Sequence, residues 1–251
     1  MTNANIGDWI KVLNPDPNNH LRLFCFPFSG GGASFFRSWQ DFLPLDVEIC
    51  TVQMPGRENR FKEEPFIHMR SVLQKMVQVL DLYQELPFAF LGHSLGGLIS
   101  YELALQLRKQ NRATPVHLFV SSCRAPHLPE IHPPLHRLPR DEFIESLRRY
   151  NGTPDEVLNN PDLMEIFLPV LRADFSILET YQYQEEEPLD CPVSVLGGVK
   201  DNNAPYEDLI AWEKYTRCDF KVRMYPGGHF YLKEKSLQFF TDINWDLQKC
   251  L

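Results

Sequence analysis

A serine between two glycines is the residue of this chain best suited to do chemistry. The segment Gly92-His93-Ser94-Leu95-Gly96 fits the pattern Gly-x-Ser-x-Gly, in which the serine occupies a sharp turn from a strand into a helix. The apolar run 88–91 predicts a buried strand before the turn, and apolar residues at helical spacing over 98–108 predict a helix after it. Glycines on both sides remove Cβ atoms that would clash in so tight a turn. The pattern therefore predicts that Ser94 is a nucleophile.

A base and an acid for this serine are predicted at the ends of two later strands. Asp201 follows the apolar run 192–196, and His229 follows the strand pattern 220–225. Catalytic groups of open α/β sheets come from loops at the carboxyl ends of strands, and the order Ser, Asp, His is that of an α/β-hydrolase. Because a serine hydroxyl needs a base to accept its proton, we expect His229 to be that base and Asp201 to hold the histidine tautomer.

Other histidines and acids fit these roles less well. His93 adjoins the serine, but its side chain should point away from the nucleophile across the turn. Asp190 and Asp219 precede predicted strands, and Asp208 falls in a predicted helix. Asp201 itself has an alternative role as a turn-forming residue, in which case the acid would have to come from elsewhere.

A glycine-rich loop follows the first predicted strand, 21–26. Its sequence, Pro27-Phe28-Ser29-Gly30-Gly31-Gly32-Ala33-Ser34, could form a phosphate-binding loop. It lacks, however, the Gly-Lys-Ser/Thr ending of a Walker loop and the glycine spacing of a dinucleotide fingerprint. We instead expect the loop to bring a backbone N–H toward Ser94 and to form an oxyanion hole with the amide of Leu95.

Two further polar features have alternative explanations. Arg57, within Met54-Pro55-Gly56-Arg57-Glu58, could bind a substrate carboxylate or phosphate, or could form a structural salt bridge with a nearby acid. Three histidines lie in the proline-rich loop 124–139 and could ligate a metal, but their spacing of five and four matches no known ligand pattern. We therefore predict no metal site. The three histidines are His127, His132 and His136.

Length, charge and cysteine content restrict the class of protein. The chain has 251 residues, enough for one α/β domain with an insertion, and a formal net charge of -8. That charge argues against a nucleic-acid binder, which needs a basic face. No secretory signal or bilayer-spanning apolar run is evident, so we expect a cytoplasmic protein without membrane attachment. The six cysteines are scattered without a Cys-x-x-Cys pair and are interpreted as small buried hydrophobes.

The order of predicted elements defines the fold class. Strands and helices alternate, which predicts an α/β fold with a mostly parallel sheet flanked by helices. A block of helices without an intervening strand interrupts this pattern. We predict a single domain over 1–251 in which 124–185 is a helical lid insertion. Residues 1–19 are expected to form an extended arm on the surface, with a frayed terminus as the alternative. The predicted strands are 21–26, 47–52, 88–91, 116–120, 192–196 and 220–225, and the predicted helices are 35–42, 66–83, 98–108, 141–150, 161–183 and 204–215, with one more near the C-terminus.

Five motifs together resemble the type II thioesterases, the stand-alone editing enzymes of nonribosomal peptide and polyketide synthesis. The resemblance covers nearly the whole chain and is specific to this group within the α/β-hydrolases. The motifs are Phe26-Pro27-Phe28-Ser29-Gly30-Gly31, Met54-Pro55-Gly56-Arg57-Glu58, Gly92-His93-Ser94-Leu95-Gly96-Gly97, Leu171-Arg172-Ala173-Asp174-Phe175 and Gly228-His229-Phe230.

The resemblance implies a serine thioesterase that removes stalled or misprimed acyl groups from the phosphopantetheine arm of carrier proteins. It implies Ser94 as nucleophile, Asp201 as acid and His229 as base, with the amides of Phe28 and Leu95 in the oxyanion hole. No cofactor is implied, because the substrate carries the phosphopantetheine. The expected partners are acyl or peptidyl carrier domains of a synthase. As no carrier segment precedes or follows the domain, we expect a discrete monomeric enzyme acting in trans.

Two other functions remain open from the sequence. A carboxylester hydrolase or lipase would use the same three residues, and a non-catalytic protein could keep the fold only to bind acyl carriers. Carrier proteins are usually acidic, so docking to this acidic chain would need a local basic patch. The candidates lie on the predicted lid, where a solvated helix face is the alternative explanation. They are Arg137, Arg140, Arg148 and Arg149.

Overall fold

The computed structural model describes residues 6–129, 133–150, 155–234 and 236–251. In this part of the chain seven strands form one sheet, in which every neighbouring pair is parallel except β1 with β3. This mostly parallel sheet, with helices on its faces, confirms the predicted fold class. The strands are β1 (Ile10–Val12), β2 (Leu21–Phe26), β3 (Val47–Val52), β4 (Phe88–His93), β5 (Leu118–Ser121), β6 (Val193–Gly198) and β7 (Phe220–Tyr225), in the spatial order β1-β3-β2-β4-β5-β6-β7.

Helices cover both faces of the sheet, so the central strands are buried on both sides. In β2, Phe24 and Phe26 belong to one hydrophobic cluster, whereas Leu23 and Cys25 belong to the cluster on the other face. This two-sided burial explains why the strands read as continuous apolar runs rather than as alternating patterns. The helices are α1 (Met69–Leu80), α2 (Leu95–Lys109), α3 (Arg140–Tyr150), α4 (Asp155–Leu158), α5 (Pro161–Glu179), α6 (Tyr206–Ile210) and α7 (Leu237–Leu247).

Several shorter segments are 3₁₀ helices, including Ala33–Asp41, which the sequence predicted only as a helix. Predicted boundaries are wrong in places. Helix α1 begins at Met69 rather than 66, α5 ends at Glu179 rather than 183, and β5 begins at Leu118 rather than 116. The other 3₁₀ helices are Ile6–Asp8, Glu58–Arg60, Asp81–Tyr83, Ala211–Tyr215 and Tyr231–Glu234.

The N-terminal arm contains a strand that the sequence did not predict. Strand β1 pairs antiparallel with β3 at the edge of the sheet. The preceding Trp9 is buried, and the Arg60 guanidinium lies 4.4 Å from its ring centroid. Three residues are too few for a recognisable alternation, so only this tertiary pairing defines the strand.

The chain order around β2 creates a topological switch point. After β2 the chain adds β3 on one side, and it then returns to add β4 on the other side. Because Phe26, the last residue of β2, is paired with Gly92 of β4, the loops after these two strands lie side by side at the carboxyl edge. Ligands bind at such a crevice in open α/β sheets.

Helices α3 to α5 lie between β5 and β6 in the chain and have a small hydrophobic cluster of their own. Phe143, Leu147, Met164 and Phe175 are among its buried members. Helix α5 is capped by Asn160, whose side chain accepts from the N–H groups two and three residues later, and Pro161 is its first residue. Within the described ranges, no helix has both the length and the apolar composition needed to cross a bilayer.

Candidate active site

Ser94 occupies a strained turn at the end of β4. Its backbone has φ 54° and ψ -120°, and α2 begins at the next residue. A non-glycine residue with positive φ is costly and persists only where the surroundings enforce it. The flanking glycines allow this close approach, because a Cβ on Gly92 would lie 2.1 Å from the Gly96 carbonyl oxygen and one on Gly96 would lie 2.2 Å from that of Phe26.

Replacing Gly92 by alanine is expected to destabilise the protein by about 3 kcal/mol, because the added Cβ meets backbone atoms that cannot rotate away. The measurement is the urea midpoint of unfolding. Gly7→Ala is the control, since a Cβ at Gly7 has nothing within 4 Å and should change little. Equal midpoints for the two variants would show that the turn relaxes without cost.

The structure brings Ser94, Asp201 and His229 together. The Nε2 atom of His229 lies 3.1 Å from Ser94 Oγ, and its Nδ1 atom lies 2.9 Å from Asp201 Oδ2. Asp201 follows β6 and His229 follows β7, so the two side chains come from adjacent strands at the carboxyl edge. The three side chains thus form a continuous hydrogen-bonded series from hydroxyl to carboxylate, the geometry of an activated nucleophile.

The Asp201 carboxylate is buried and fully hydrogen-bonded. Its Oδ1 atom accepts from the backbone N–H groups of Asn203, at 2.9 Å, and Ala204, at 3.2 Å. Burial alone would raise its pKa, but the hydrogen bond and charge of His229 and the Asn203 amide together hold the pKa of Asp201 below its ordinary value. The side chain is therefore an anion that can orient the histidine.

The loop after β2 lies beside the serine. The ring of Phe28 packs edge-on against His93 and Phe230, with centroid distances of 5.8 and 4.8 Å. His93 directly precedes Ser94, and Phe230 directly follows His229. Among the described residues, the backbone hydrogen bonds of loops and turns include none from the Phe28 N–H, and Leu95 is the first residue of α2, where an N–H has no acceptor within the helix. Both amides predicted for an oxyanion hole are thus available as donors.

His93 is engaged away from the nucleophile. Its Nδ1 atom lies 2.9 Å from Ser121 Oγ, which in turn lies 2.7 Å from the hydroxyl of Tyr231. The ring is fully buried. Burial, and secondarily the positive charges of nearby side chains, lower the pKa of His93 well below its ordinary value. His93 is therefore a neutral packing residue beneath the site.

The other predicted competitors for the acid lie in ion pairs or in other loops. Asp208, in α6, is 2.7 Å from Arg124 Nε, and Asp190 is 3.5 Å from Arg217. Asp219 precedes β7 at the amino edge of the sheet, opposite the carboxyl edge that carries Ser94. None of the three has the carboxylate contact to His229 that Asp201 makes.

A second group of serine, histidine and aspartate side chains lies at the amino edge. His117 Nε2 is 3.0 Å from Ser194 Oγ, and that hydroxyl donates to Asp246 Oδ2 at 2.7 Å. All three side chains are buried, and burial lowers the pKa of His117 to about 4. In a catalytic triad the histidine lies between the serine and the aspartate. Here the carboxylate binds the hydroxyl rather than the histidine, so this group is a structural network.

The remaining polar predictions have protein partners. His127 Nδ1 lies 2.8 Å from the Tyr215 hydroxyl and His136 Nδ1 lies 2.5 Å from Glu179, while His132 lies outside the described residues. Among the residues that are described, no group of three or more His, Cys, Asp or Glu side chains could hold a metal ion.

Arg57 forms the structural ion pair rather than facing a ligand. Both of its terminal nitrogens bind Asp174 of α5, at 2.7 and 2.8 Å. Asp174 belongs to one of the five motifs, but no partner was predicted for it, since 117 residues separate it from Arg57.

The predicted basic patch is partly engaged with its own surroundings. Arg137 donates to His136 Nε2 and Arg148 donates to Asn159, whereas the side chain of Arg149 lies outside the described residues. Arg140 begins α3 and is exposed.

Proteins similar to this chain act as thioesterases or serve peptide biosynthesis, according to their names. The family model described as Thioesterase domain matches residues 21–246. Gramicidin S biosynthesis protein GrsT of Aneurinibacillus migulanus is 44% identical over 235 residues, which cover 94% of this chain and 92% of that protein. Thioesterase PikA5 of Streptomyces venezuelae is 35% identical and covers 96% of this chain and 86% of its own. The solved structure of the type II thioesterase BorB from the borrelidin biosynthetic cluster has a TM-score of 0.85 at 28% identity, covering 98% of each chain.

Proposed function

This chain belongs to the thioesterase family, as its motifs predicted, and we propose that it hydrolyses acyl thioesters on the phosphopantetheine arm of carrier proteins in nonribosomal peptide or polyketide synthesis. The observation that carries the proposal is the hydrogen-bonded series Ser94, His229, Asp201 at the carboxyl edge of the sheet. Its support is the likeness, over most of each chain, to proteins named for gramicidin S biosynthesis and for thioesterase activity. Stalled or misprimed acyl groups are the proposed substrates.

The proposed reaction is acyl transfer in two steps. His229 Nε2 takes the proton of Ser94 Oγ, 3.1 Å away, as the serine oxygen attacks the thioester carbonyl carbon. The amides of Phe28 and Leu95 stabilise the negative charge on the carbonyl oxygen. The carbon–sulfur bond then breaks, and the pantetheine sulfur receives the proton from His229. In the second step His229 deprotonates water, whose oxygen attacks the carbonyl carbon of the acyl-serine; the bond between that carbon and Ser94 Oγ breaks, His229 returns the proton to the serine oxygen, and the free acid is released.

We propose that 124–185 serves as a lid over this site. Helix α5 supports this role through its contacts. A Cβ on Gly30 would lie 2.6 Å from Leu171, and one on Gly56 would lie 3.2 Å from Val170. Both glycines belong to loops at the carboxyl edge, so α5 packs directly on the loops that border the serine. A helix in that position can cover an acyl chain during reaction.

The proposal is tested by comparing an acetyl- or aminoacyl-loaded carrier protein with the p-nitrophenyl ester of the same acyl group. Because carrier contacts add binding energy remote from the reacting bond, kcat/KM for the carrier thioester should exceed that for the ester by about tenfold or more. The same acyl group on free pantetheine separates the contribution of the carrier from that of the thioester. Efficient cleavage of the ester with no release from the carrier would favour a carboxylester hydrolase instead.

A fluorophosphonate probe separates both enzymes from a non-catalytic binding protein. Such a probe forms a covalent bond only with an activated serine. Labelling at Ser94 is expected, and its absence in the folded protein would favour the binding protein.

A further inference from the structure

Two motifs that the proposed mechanism does not use meet behind the loop that follows β2. Arg57, from the loop after β3, and Asp174, from α5, form a two-point ion pair with N–O distances of 2.7 and 2.8 Å. The side chains are only 5% and 0% exposed. Such burial is costly for charged groups unless each remaining hydrogen-bonding site also has a partner, and here those partners are backbone atoms of the neighbouring loop.

The loop contains a tight turn from Phe28 to Gly31. The Gly31 N–H donates to the Phe28 carbonyl oxygen at 2.8 Å, and Gly30 has φ +77°. Positive φ at the third position defines a type II turn, which differs from type I by a flip of the central peptide. The N–H of that central peptide belongs to Gly30. An acceptor for this N–H therefore favours the type II form.

Asp174 binds that central peptide, and Arg57 binds the carbonyl of Gly31, the last residue of the turn. The Gly30 N–H donates to Asp174 Oδ2 at 2.7 Å, and Arg57 Nη1 donates to the Gly31 carbonyl oxygen at 3.1 Å. One side chain of the pair thus accepts from the turn while the other donates to it. Because each also holds its partner, the pair fixes two peptide groups of this loop, the one that carries the Gly30 N–H and the one that carries the Gly31 carbonyl.

The same pair borders the two proposed oxyanion donors. A narrow cavity of about 10 Å³ is lined by Phe28 and Leu95 together with Arg57 and Asp174. Phe28 is the first residue of the turn, so loss of the contacts that anchor Gly30 and Gly31 would allow the backbone of Phe28 to shift relative to Ser94. A displacement of about 1 Å in such a site can reduce the rate about 100-fold.

We infer that Arg57 and Asp174 are positioning residues that hold the turn from Phe28 to Gly31 in the conformation in which the Phe28 amide faces the oxyanion. The inference rests on the proposed function, in which that amide stabilises the negative charge. It gives α5 a second task, because the helix supplies Asp174 and thereby completes the oxyanion hole. The hole is then assembled from elements 144 residues apart in the chain.

A purely structural ion pair is the alternative, and the chain offers a matched control for it. Asp246 is likewise 0% exposed and forms a two-point pair with Arg223, at 2.6 and 3.1 Å. It joins α7 to β6 and β7 and lies at the amino edge, away from Ser94. Loss of Asp246 should therefore cost stability without affecting the oxyanion hole.

The first experiment compares Asp174→Ala, Asp174→Asn and Asp246→Ala by kcat, KM and thermal unfolding. Asn keeps one oxygen that can accept from the Gly30 N–H, whereas Ala keeps none. We expect kcat to fall about 100-fold in Asp174→Ala and less than about tenfold in Asp174→Asn, with KM changed by less than about threefold. Asp246→Ala should lower the unfolding temperature and leave kcat within about twofold of wild type.

A double variant tests the pair without leaving an unpaired buried charge. Arg57→Met combined with Asp174→Leu leaves no unpaired buried charge, so stability should return toward that of wild type. The Gly30 N–H still lacks an acceptor, and kcat should stay about 100-fold low. Recovery of kcat together with stability would show that the pair acts only as a structural ion pair, and this result would overturn the inference.

Two further measurements test the positioning role of the pair independently of the proposed carrier substrate. All variants are assayed on a p-nitrophenyl ester as well as on the carrier thioester, since both reactions need the same oxyanion hole. Amide hydrogen exchange over 28–34 should rise in Asp174→Ala and not in Asp246→Ala. If wild type releases nothing from the carrier, the proposed function fails while the ester and exchange measurements still decide the role of the pair. Unchanged amide hydrogen exchange over 28–34, or unchanged kcat on the ester, in Asp174→Ala would contradict the positioning role of Arg57 and Asp174.

Discussion

Ser94→Ala is expected to lower kcat for release of an acyl group from its carrier protein by about 10⁴-fold or more, because it removes the hydroxyl that contacts His229 and would form the acyl-enzyme. The change removes one oxygen at a residue that lies in the turn between β4 and α2, so the fold should persist. KM should change little, since the carrier and acyl contacts remain. The measurement is single-turnover release with wild type and variant side by side, together with fluorophosphonate labelling.

Ser194→Ala is the matched control for this prediction. Ser194 also contacts a histidine and an aspartate, but it is 1% exposed and its hydroxyl donates to Asp246. The variant should therefore keep kcat within about twofold of wild type and unfold at a lower temperature, because a buried hydrogen bond is lost. Substantial release by Ser94→Ala, or loss of release in folded Ser194→Ala, would contradict the assignment of Ser94 as nucleophile.

The sequence predicted the sheet and the meeting of the three residues because both depend on local patterns. Strands buried on two faces appear as short apolar runs, and parallel strands place their carboxyl ends on one edge. Any polar residue directly after such a run is thereby assigned to the crevice. Ser94, Asp201 and His229 all follow such runs, and the structure places them within 3.1 Å of one another in series. Their catalytic roles remain predictions until the variants are assayed.

Contacts between distant segments could not be predicted in the same way. The partner of Arg57 is an aspartate on a helix that packs back over the sheet, and neither residue has a spacing that identifies the other. The sequence therefore left two alternatives for the arginine. Strand β1 is a comparable case, because three residues gain their conformation from pairing with β3 rather than from their own pattern.

Asp201→Asn is expected to lower kcat by about 10⁴-fold while leaving the fold intact, because it reverses the hydrogen bond that sets the histidine tautomer. The direction follows from the other carboxylate oxygen. Oδ1 accepts from the N–H groups of Asn203 and Ala204, so the amide oxygen of an asparagine should occupy that position. Its NH₂ group would then face His229 Nδ1, which can accept that hydrogen bond only when it carries no proton.

The consequence lies at the opposite nitrogen of the ring. With Nδ1 as acceptor, the neutral imidazole carries its proton on Nε2, which lies 3.1 Å from Ser94 Oγ, and it cannot accept the serine proton. Asp208→Asn is the control. Asp208, in α6, pairs with Arg124, and loss of this ion pair should leave kcat within about twofold of wild type. Single-turnover release and fluorophosphonate labelling should slow together in Asp201→Asn, because both require deprotonation of Ser94. Unimpaired labelling of this variant would mean that a different acid orients His229.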